Sequence, residues 1–222
     1  MNNPRISIFT GHFGSGKTEI AINFAINCRK YYNKVAIVDL DIVNPYFRTK
    51  DASNILENQG IKVIAPLFAN TNVDIPALPA EILSLFQDKD YMVIFDVGGD
   101  DIGATALGRY YRYFLNEGYK MFFVINTKRP LTGDKESILS MLEGIEKNSR
   151  LEVTGLINNT NLSYDSTVED LIEGQKIIDD ISRQIMVPVR YITGREQILS
   201  NIPEHLKEKA FPINLYLQMP WH

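Results

Sequence analysis

The stretch Gly11-His12-Phe13-Gly14-Ser15-Gly16-Lys17-Thr18 meets the pattern G-x-x-x-x-G-K-[ST] at every fixed position. On its amino side Arg5-Ile6-Ser7-Ile8-Phe9-Thr10 reads as a short buried strand. On its carboxyl side, residues 19 to about 30 place apolar side chains at helical spacing. A glycine-rich turn in that setting suits an anion for two physical reasons. Gly14 and Gly16 let successive backbone N–H groups turn inward around phosphate oxygens, and the following helix presents its positive N-terminal end to the same anion. Lys17 is expected to reach the β- and γ-phosphates as a mobile point charge. The Thr18 hydroxyl is expected in the shell of a Mg2+ ion that bridges them. Gly11, His12, Phe13, Gly14, Ser15, Gly16, Lys17 and Thr18 are thus the expected nucleotide cradle.

Working outward, Lys34-Val35-Ala36-Ile37-Val38-Asp39 is a β-branched apolar run that ends in Asp39-Leu40-Asp41. Tyr91-Met92-Val93-Ile94-Phe95 is nearly continuous apolar sequence ending in Asp96-Val97-Gly98-Gly99, as a central parallel strand buried on both faces would. Ligands of open α/β sheets lie outside the carboxyl ends of the strands, so acids placed there are poised for metal or water rather than for the core. Asp39 and Asp41 both qualify by position, and Asp96 is the expected magnesium ligand of the outer coordination shell. Gly98 and Gly99 let the chain approach a γ-phosphate closely, with the Gly99 N–H as its sensor. Between these strands, Ile42-Val43-Asn44-Pro45-Tyr46-Phe47-Arg48 reads as a switch loop over the nucleotide. Arg48 there is either phosphate-facing or a solvated cation.

The rest of the chain alternates strand and helix: helical residues 49–58, a strand over 61–65, a helix over 81–86, a helix over 102–115, a strand over 120–126 and a helix over 135–147. A strand over 152–157 runs into Asn158-Asn159-Thr160-Asn161, whose amides offer both donors and acceptors to a base edge. A helix over 166–185 and a final strand over 186–192 follow. Pro188 marks either the beginning of that strand or a strand at the sheet edge, and Pro203, Pro212 and Pro220 break the tail into short pieces. The expected fold class is α/β: one P-loop domain over 1–222, three layers, with a mostly parallel central sheet and helices on both faces. Composition agrees, with 45% hydrophobic and 23% charged residues in 222. A net charge of −4 gives no general attraction to nucleic acid, and no run reaches membrane-spanning length. The single Cys28 reads as a packed thiol, and a cytoplasmic location is expected.

Taken together, the 11–18 loop, Val38-Asp39-Leu40-Asp41, Phe95-Asp96-Val97-Gly98-Gly99 and Gly155-Leu156-Ile157-Asn158-Asn159 resemble the MinD/ParA and CobQ/CobB class of P-loop ATPases. The resemblance implies ATP and Mg2+ as ligands, with Lys17 and Thr18 at the phosphates, Asp41 near the attacking water and Asp96 behind the metal. It also implies a base-contacting asparagine, either Asn158 or Asn159. Members of that class usually carry a second lysine and a glycine where this chain has His12 and Phe13. That lysine acts across an ATP-sandwiched dimer, so ATP-driven dimerisation is not expected here, while a homodimer of another kind stays open. Three activities fit: a slow ATPase that switches a surface for a protein partner, a ligase or kinase of a small carboxylic acid, and a nucleotide-binding module without hydrolysis. The first is the expectation.

Overall fold

The computed structural model describes residues 4–41, 49–65 and 80–217. The expected switch loop with Arg48, the connection through Pro76 and Pro79, and the tail's Pro220 and His222 lie outside the described residues. In chain order the elements are β1 (Ile6–Thr10), α1 (Lys17–Arg29), β2 (Lys34–Leu40), α2 (Ser53–Asn58), β3 (Ile61–Ile64), α3 (Ala80–Gln87) and β4 (Tyr91–Val97). They continue with α4 (Asp101–Gly108), α5 (Tyr111–Glu117), β5 (Lys120–Ile125), α6 (Lys135–Ser149), β6 (Gly155–Asn158), α7 (Val168–Ile185), β7 (Val189–Gly194), α8 (Glu196–Leu199), α9 (Glu204–Lys207) and β8 (Ala210–Pro212). The strands form one sheet in the order β3-β2-β4-β1-β5-β6-β7-β8, every neighbouring pair parallel. The fold is the three-layer α/β architecture of P-loop NTPases.

Strand periodicity divides the core between the two faces. Ile6, Ile8, Ala36, Val38, Val93 and Phe95 pack with residues of α3 to α7. Their neighbours Phe9, Val35, Ile37, Met92 and Ile94 pack with α1 and α2. The chain runs in opposite directions across the sheet before and after β3. Right-handed crossovers therefore place the early helices on one face and the later ones on the other. β1 sits between β4 and β5, so the loop leaving its carboxyl end opens into the crevice where the direction of winding changes.

Three expectations are corrected. The helix over 102–115 is two helices, because α4 ends at Gly108. That glycine lies so close to the end of α6 that an added Cβ would fall 2.7 Å from the Asn148 carbonyl oxygen. Asp100 caps α4 by accepting from the Gly103 N–H at 2.6 Å. The strand of 152–157 begins only at Gly155, where its pairing with Phe122 of β5 starts, and the Thr154 N–H just ahead of it donates to the Met121 carbonyl. Finally, β7 is not the last strand and does not lie at the edge; Pro188 directly precedes its first residue, the other place the sequence allowed. β8 pairs with it in parallel, and Pro212 is tolerated there because β8 borders the sheet.

Candidate functional site

The 11–18 loop leaves β1 and enters α1 as the sequence pattern requires. Gly16, the residue before α1, has φ 86°, a left-handed conformation that strains any side-chain-bearing residue. Lys17 opens the helix and is 4% exposed. Its Nζ lies 2.8 Å from Asp41 Oδ2. Burial opposes the ammonium charge, but Asp96, Asp41 and Asp39 outweigh it and hold Lys17 above its ordinary pKa. Three carboxylates thus surround one cation.

Register explains how the carboxylates meet. Asp39 on β2 pairs directly with Asp96 on β4, which in turn pairs with Phe9 on β1. Asp39 shares the parity of Val35 and Ile37, and Asp96 that of Met92 and Ile94, so both carboxylates occupy the α1 side of the sheet. Asp39 Oδ1 accepts from the Asp41 N–H at 3.0 Å and shapes the end of β2. Asp96 is fully buried. Burial pushes its carboxyl up to about 6, against the pull of Lys17 and hydrogen bonds from Thr18 and Thr49; Asp41 adds to the rise. Thr49 Oγ1 donates to Asp96 Oδ2 at 3.0 Å, whereas Asp96 Oδ1 is buried with no hydrogen-bond partner among the described residues.

That orphaned oxygen tests the fit of a metal. A buried carboxylate oxygen without a donor, beside the Thr18 hydroxyl and Asp41, suits a hydrated divalent cation that takes few protein ligands and completes its shell with water and phosphate. Among the described residues no group of three or more His, Cys, Asp or Glu could hold a metal by itself. Thr18, Asp41 and Asp96 fit Mg2+ bound with a nucleotide, not a dedicated metal cage.

Gly98 and Gly99 bring β4 against the loop. An added Cβ on Gly99 would overlap the carbonyl of Gly11, so only glycine lets the two turns touch. The asparagines after β6 separate cleanly. Asn158 turns toward α7, where its Nδ2 donates to the Leu171 carbonyl at 3.0 Å and to Gln175 Oε1 at 2.9 Å, and it does not line the cavity described below. Asn159 faces the loop: its Nδ2 donates to the Ser15 carbonyl at 2.7 Å and its Oδ1 accepts from Thr193 Oγ1 at 2.8 Å. One amide hydrogen and one lone pair of Asn159 remain for a ligand.

Beside the loop lies a cavity of about 630 Å³, walled by His12, Phe13, Gly14, Gly16, Lys17 and Thr18 on one side and by Asn159, Asn161, Leu162, Ile198, Leu215 and Leu217 on the other. That volume is in the ordinary range of small-molecule sites. Phe13 is 57% exposed, and His12 Nδ1 approaches the Phe13 carbonyl at 2.6 Å.

Several contributors escape the sequence reading. Arg129, between β5 and α6, hangs over the loop with its Nε donating to the Gly14 carbonyl at 3.1 Å. The C-terminal segment folds back onto α1: Glu19 accepts from the Tyr216 N–H at 3.0 Å and the Leu217 N–H at 2.7 Å. Asn23 clasps Asn214 through 2.8 and 2.9 Å bonds. Burial raises the Glu19 carboxyl's pKa, and the two backbone donors counter it. Leu215 and Leu217 thereby become cavity walls. A glutamate directly after the loop threonine and an asparagine four residues later, sharing one helix face, were the available signal.

Comparison with known proteins places this geometry among nucleotide-binding folds. No curated protein sequence matches the chain. Among solved structures it resembles cell division protein FtsY from Thermotoga maritima, with 19% identity, a TM-score of 0.58, and coverage of 93% of this chain and 64% of that one. FtsY from Mycoplasma mycoides is similar at 18% identity and a TM-score of 0.55, covering 86% and 60%. A nucleotide-binding protein from Archaeoglobus fulgidus in complex with ADP is similar at 14% identity and a TM-score of 0.53, covering 89% and 84%. The chain spans roughly 60% of the length of these FtsY structures, and at such identities the likeness is one of fold. The family model described as the CobQ/CobB/MinD/ParA nucleotide binding domain matches residues 6–198, and the chain belongs to that family.

Proposed function

We propose that this chain binds ATP with Mg2+, hydrolyses it slowly, and uses the bound nucleotide to switch a surface recognised by a protein partner in the cytoplasm. The observation that carries this reading is the buried group of Lys17, Thr18, Asp41 and Asp96 at the carboxyl ends of three adjacent strands, with Asp96 Oδ1 lacking a hydrogen-bond partner among the described residues. In this reading the loop backbone and Lys17 bind the phosphates, and Thr18, Asp41 and Asp96 hold the ion. When bound, Mg2+ supplies charge neutralisation across the β- and γ-phosphates. Asp41 orients the attacking water as a hydrogen-bond acceptor. Gly99, against Gly11, carries the state of the γ-phosphate into the β4–α4 turn.

Adenine is favoured over guanine on chemical grounds. Guanine selectivity needs a carboxylate to accept from the N1–H and the exocyclic N2 amino group of the base. The carboxylate among the cavity's walls is Glu19, and it is engaged by Tyr216 and Leu217. Asn159 is the better placed of the two asparagines for the base. Competition binding is expected to favour ATP; a tenfold preference for GTP, about 1.4 kcal/mol, would overturn the assignment. The activity itself is tested by single-turnover hydrolysis with and without Mg2+. Slow Mg2+-dependent release of phosphate is expected. ATP held unchanged for hours would make the chain a binding module, and a rate rise only with a small carboxylic acid would make it a ligase or kinase.

A further inference from the structure

The charge balance of the site is incomplete. Lys17 is surrounded by Asp39, Asp41 and Asp96, so a polyphosphate entering the loop with one divalent ion meets no net positive charge from these groups. Arg129 is the guanidinium that hangs over the loop. It is half-buried against the cavity wall, and its Nε donates to the Gly14 carbonyl. Its four terminal N–H bonds have no partner and it forms no ion pair among the described residues. Arg5 shows what a structural arginine looks like in this protein: it donates to the carbonyls of Leu85, Tyr91 and Phe86 and pairs with Glu117. Arg129 spends one donor on orientation and keeps the charged end of its fork unspent.

The backbone that carries Arg129 is pre-organised. Its N–H donates to the Asn126 carbonyl and its own carbonyl accepts from Thr132 N–H at 3.0 Å, while Thr132 Oγ1 donates to the Asn126 carbonyl at 2.7 Å. Pro130 follows directly and removes one further backbone freedom. A cation held in this way loses little entropy when it binds, and a guanidinium matches phosphate oxygens two at a time.

We infer that Arg129 is a phosphate-binding residue acting within the same chain, its terminal N–H groups gripping the polyphosphate of the nucleotide together with Lys17. This rests on the nucleotide reading proposed above. The test is a fluorescence titration of the full chain with a non-hydrolysable ATP analogue and with ADP, at low and at raised salt, for the wild type, Arg129→Gln and Arg129→Lys, with thermal melts of each protein without nucleotide. Arg129→Gln is expected to weaken the analogue's binding by about 10–100-fold and to flatten its salt dependence. Arg129→Lys is expected to recover part of the loss, and all three melts should agree. If the wild type binds and Arg129→Gln stays within twofold with the same salt dependence, the inference fails and the nucleotide reading stands. If both variants lose binding equally and melt lower, Arg129 is a strut for Gly14 and the inference fails again. A wild type that binds neither nucleotide overturns both.

Discussion

Lys17 and its three acids divide the labour of the site, and single substitutions should separate the parts. Lys17→Ala removes the loop's own cation, 2.8 Å from Asp41, so nucleotide binding or turnover should fall by about two orders of magnitude or more. Near-normal affinity and rate would sink the P-loop assignment. Asp41→Ala and Asp96→Ala should keep measurable nucleotide binding and impair the Mg2+-dependent step, and unchanged hydrolysis in both would refute their roles. Asp96 also makes a prediction without nucleotide. Its folded pKa of about 6 lies above the ordinary 3.8, so between those values the folded protein holds a proton that the unfolded chain has released. That contribution to stability is complete below about pH 4 and is lost as the pH rises through 6. Relative to Asp96→Asn, the wild type should lose on the order of 3 kcal/mol over this window, read from denaturant midpoints. Parallel pH profiles for the two proteins would exclude it.

At the scale of elements, the decisive contact is the return of the C-terminal segment to α1. Glu19 and Asn23 lie one helical turn apart on the same face, and together they hold the backbone of residues 214–217. Glu19→Ala removes the acceptor for two backbone donors, so the N–H groups of Tyr216 and Leu217 should exchange hydrogen faster. The fold should lose about 1–3 kcal/mol. Because Leu215 and Leu217 wall the cavity, nucleotide affinity should weaken while Mg2+-dependent turnover at saturation changes little. Unaltered exchange at Tyr216 and Leu217 would show that the clasp does not hold the segment. The asparagine pair belongs to this scale as well. Leu156 and Asn158 share one face of β6 and its extension, Ile157 and Asn159 the other. Strand parity alone therefore separates the residue that braces α7 from the one that meets the loop.

At the scale of the whole molecule, association with a second copy depends on the loop's side chains. The position of the family's second lysine is His12, a shorter side chain whose ring nitrogen lies against the Phe13 carbonyl, and the bulky Phe13 beside it is exposed. Neither offers a long cation to a second copy's phosphates, and the guanidinium of Arg129, bonded to the Gly14 carbonyl, sits over the chain's own loop. Light scattering at micromolar protein should give the same mass with ADP and with a non-hydrolysable ATP analogue. A doubling only with the analogue, abolished by His12→Ala, would show the histidine serving in the lysine's place. No described helix is long and apolar enough to cross a membrane.

The cradle and its flanking strand and helix were legible because a P-loop is local: its glycines, Lys17 and Thr18 are consecutive, and backbone conformation there is set by near neighbours. The acid-ended strands were legible too, since hydrophobic periodicity marks both a buried strand and the point where it leaves the core. Tertiary structure decided what depends on residues far apart in the chain. Parallel pairing across a skipped strand put Asp39 beside Asp96, a loop 115 positions away put Arg129 on Gly14, and a segment nearly 200 positions away closed the cavity on Glu19. Those contacts are fixed by crossover handedness and by which buried donors and acceptors remain to be satisfied once the sheet is assembled, and neither condition leaves a periodic mark in the sequence.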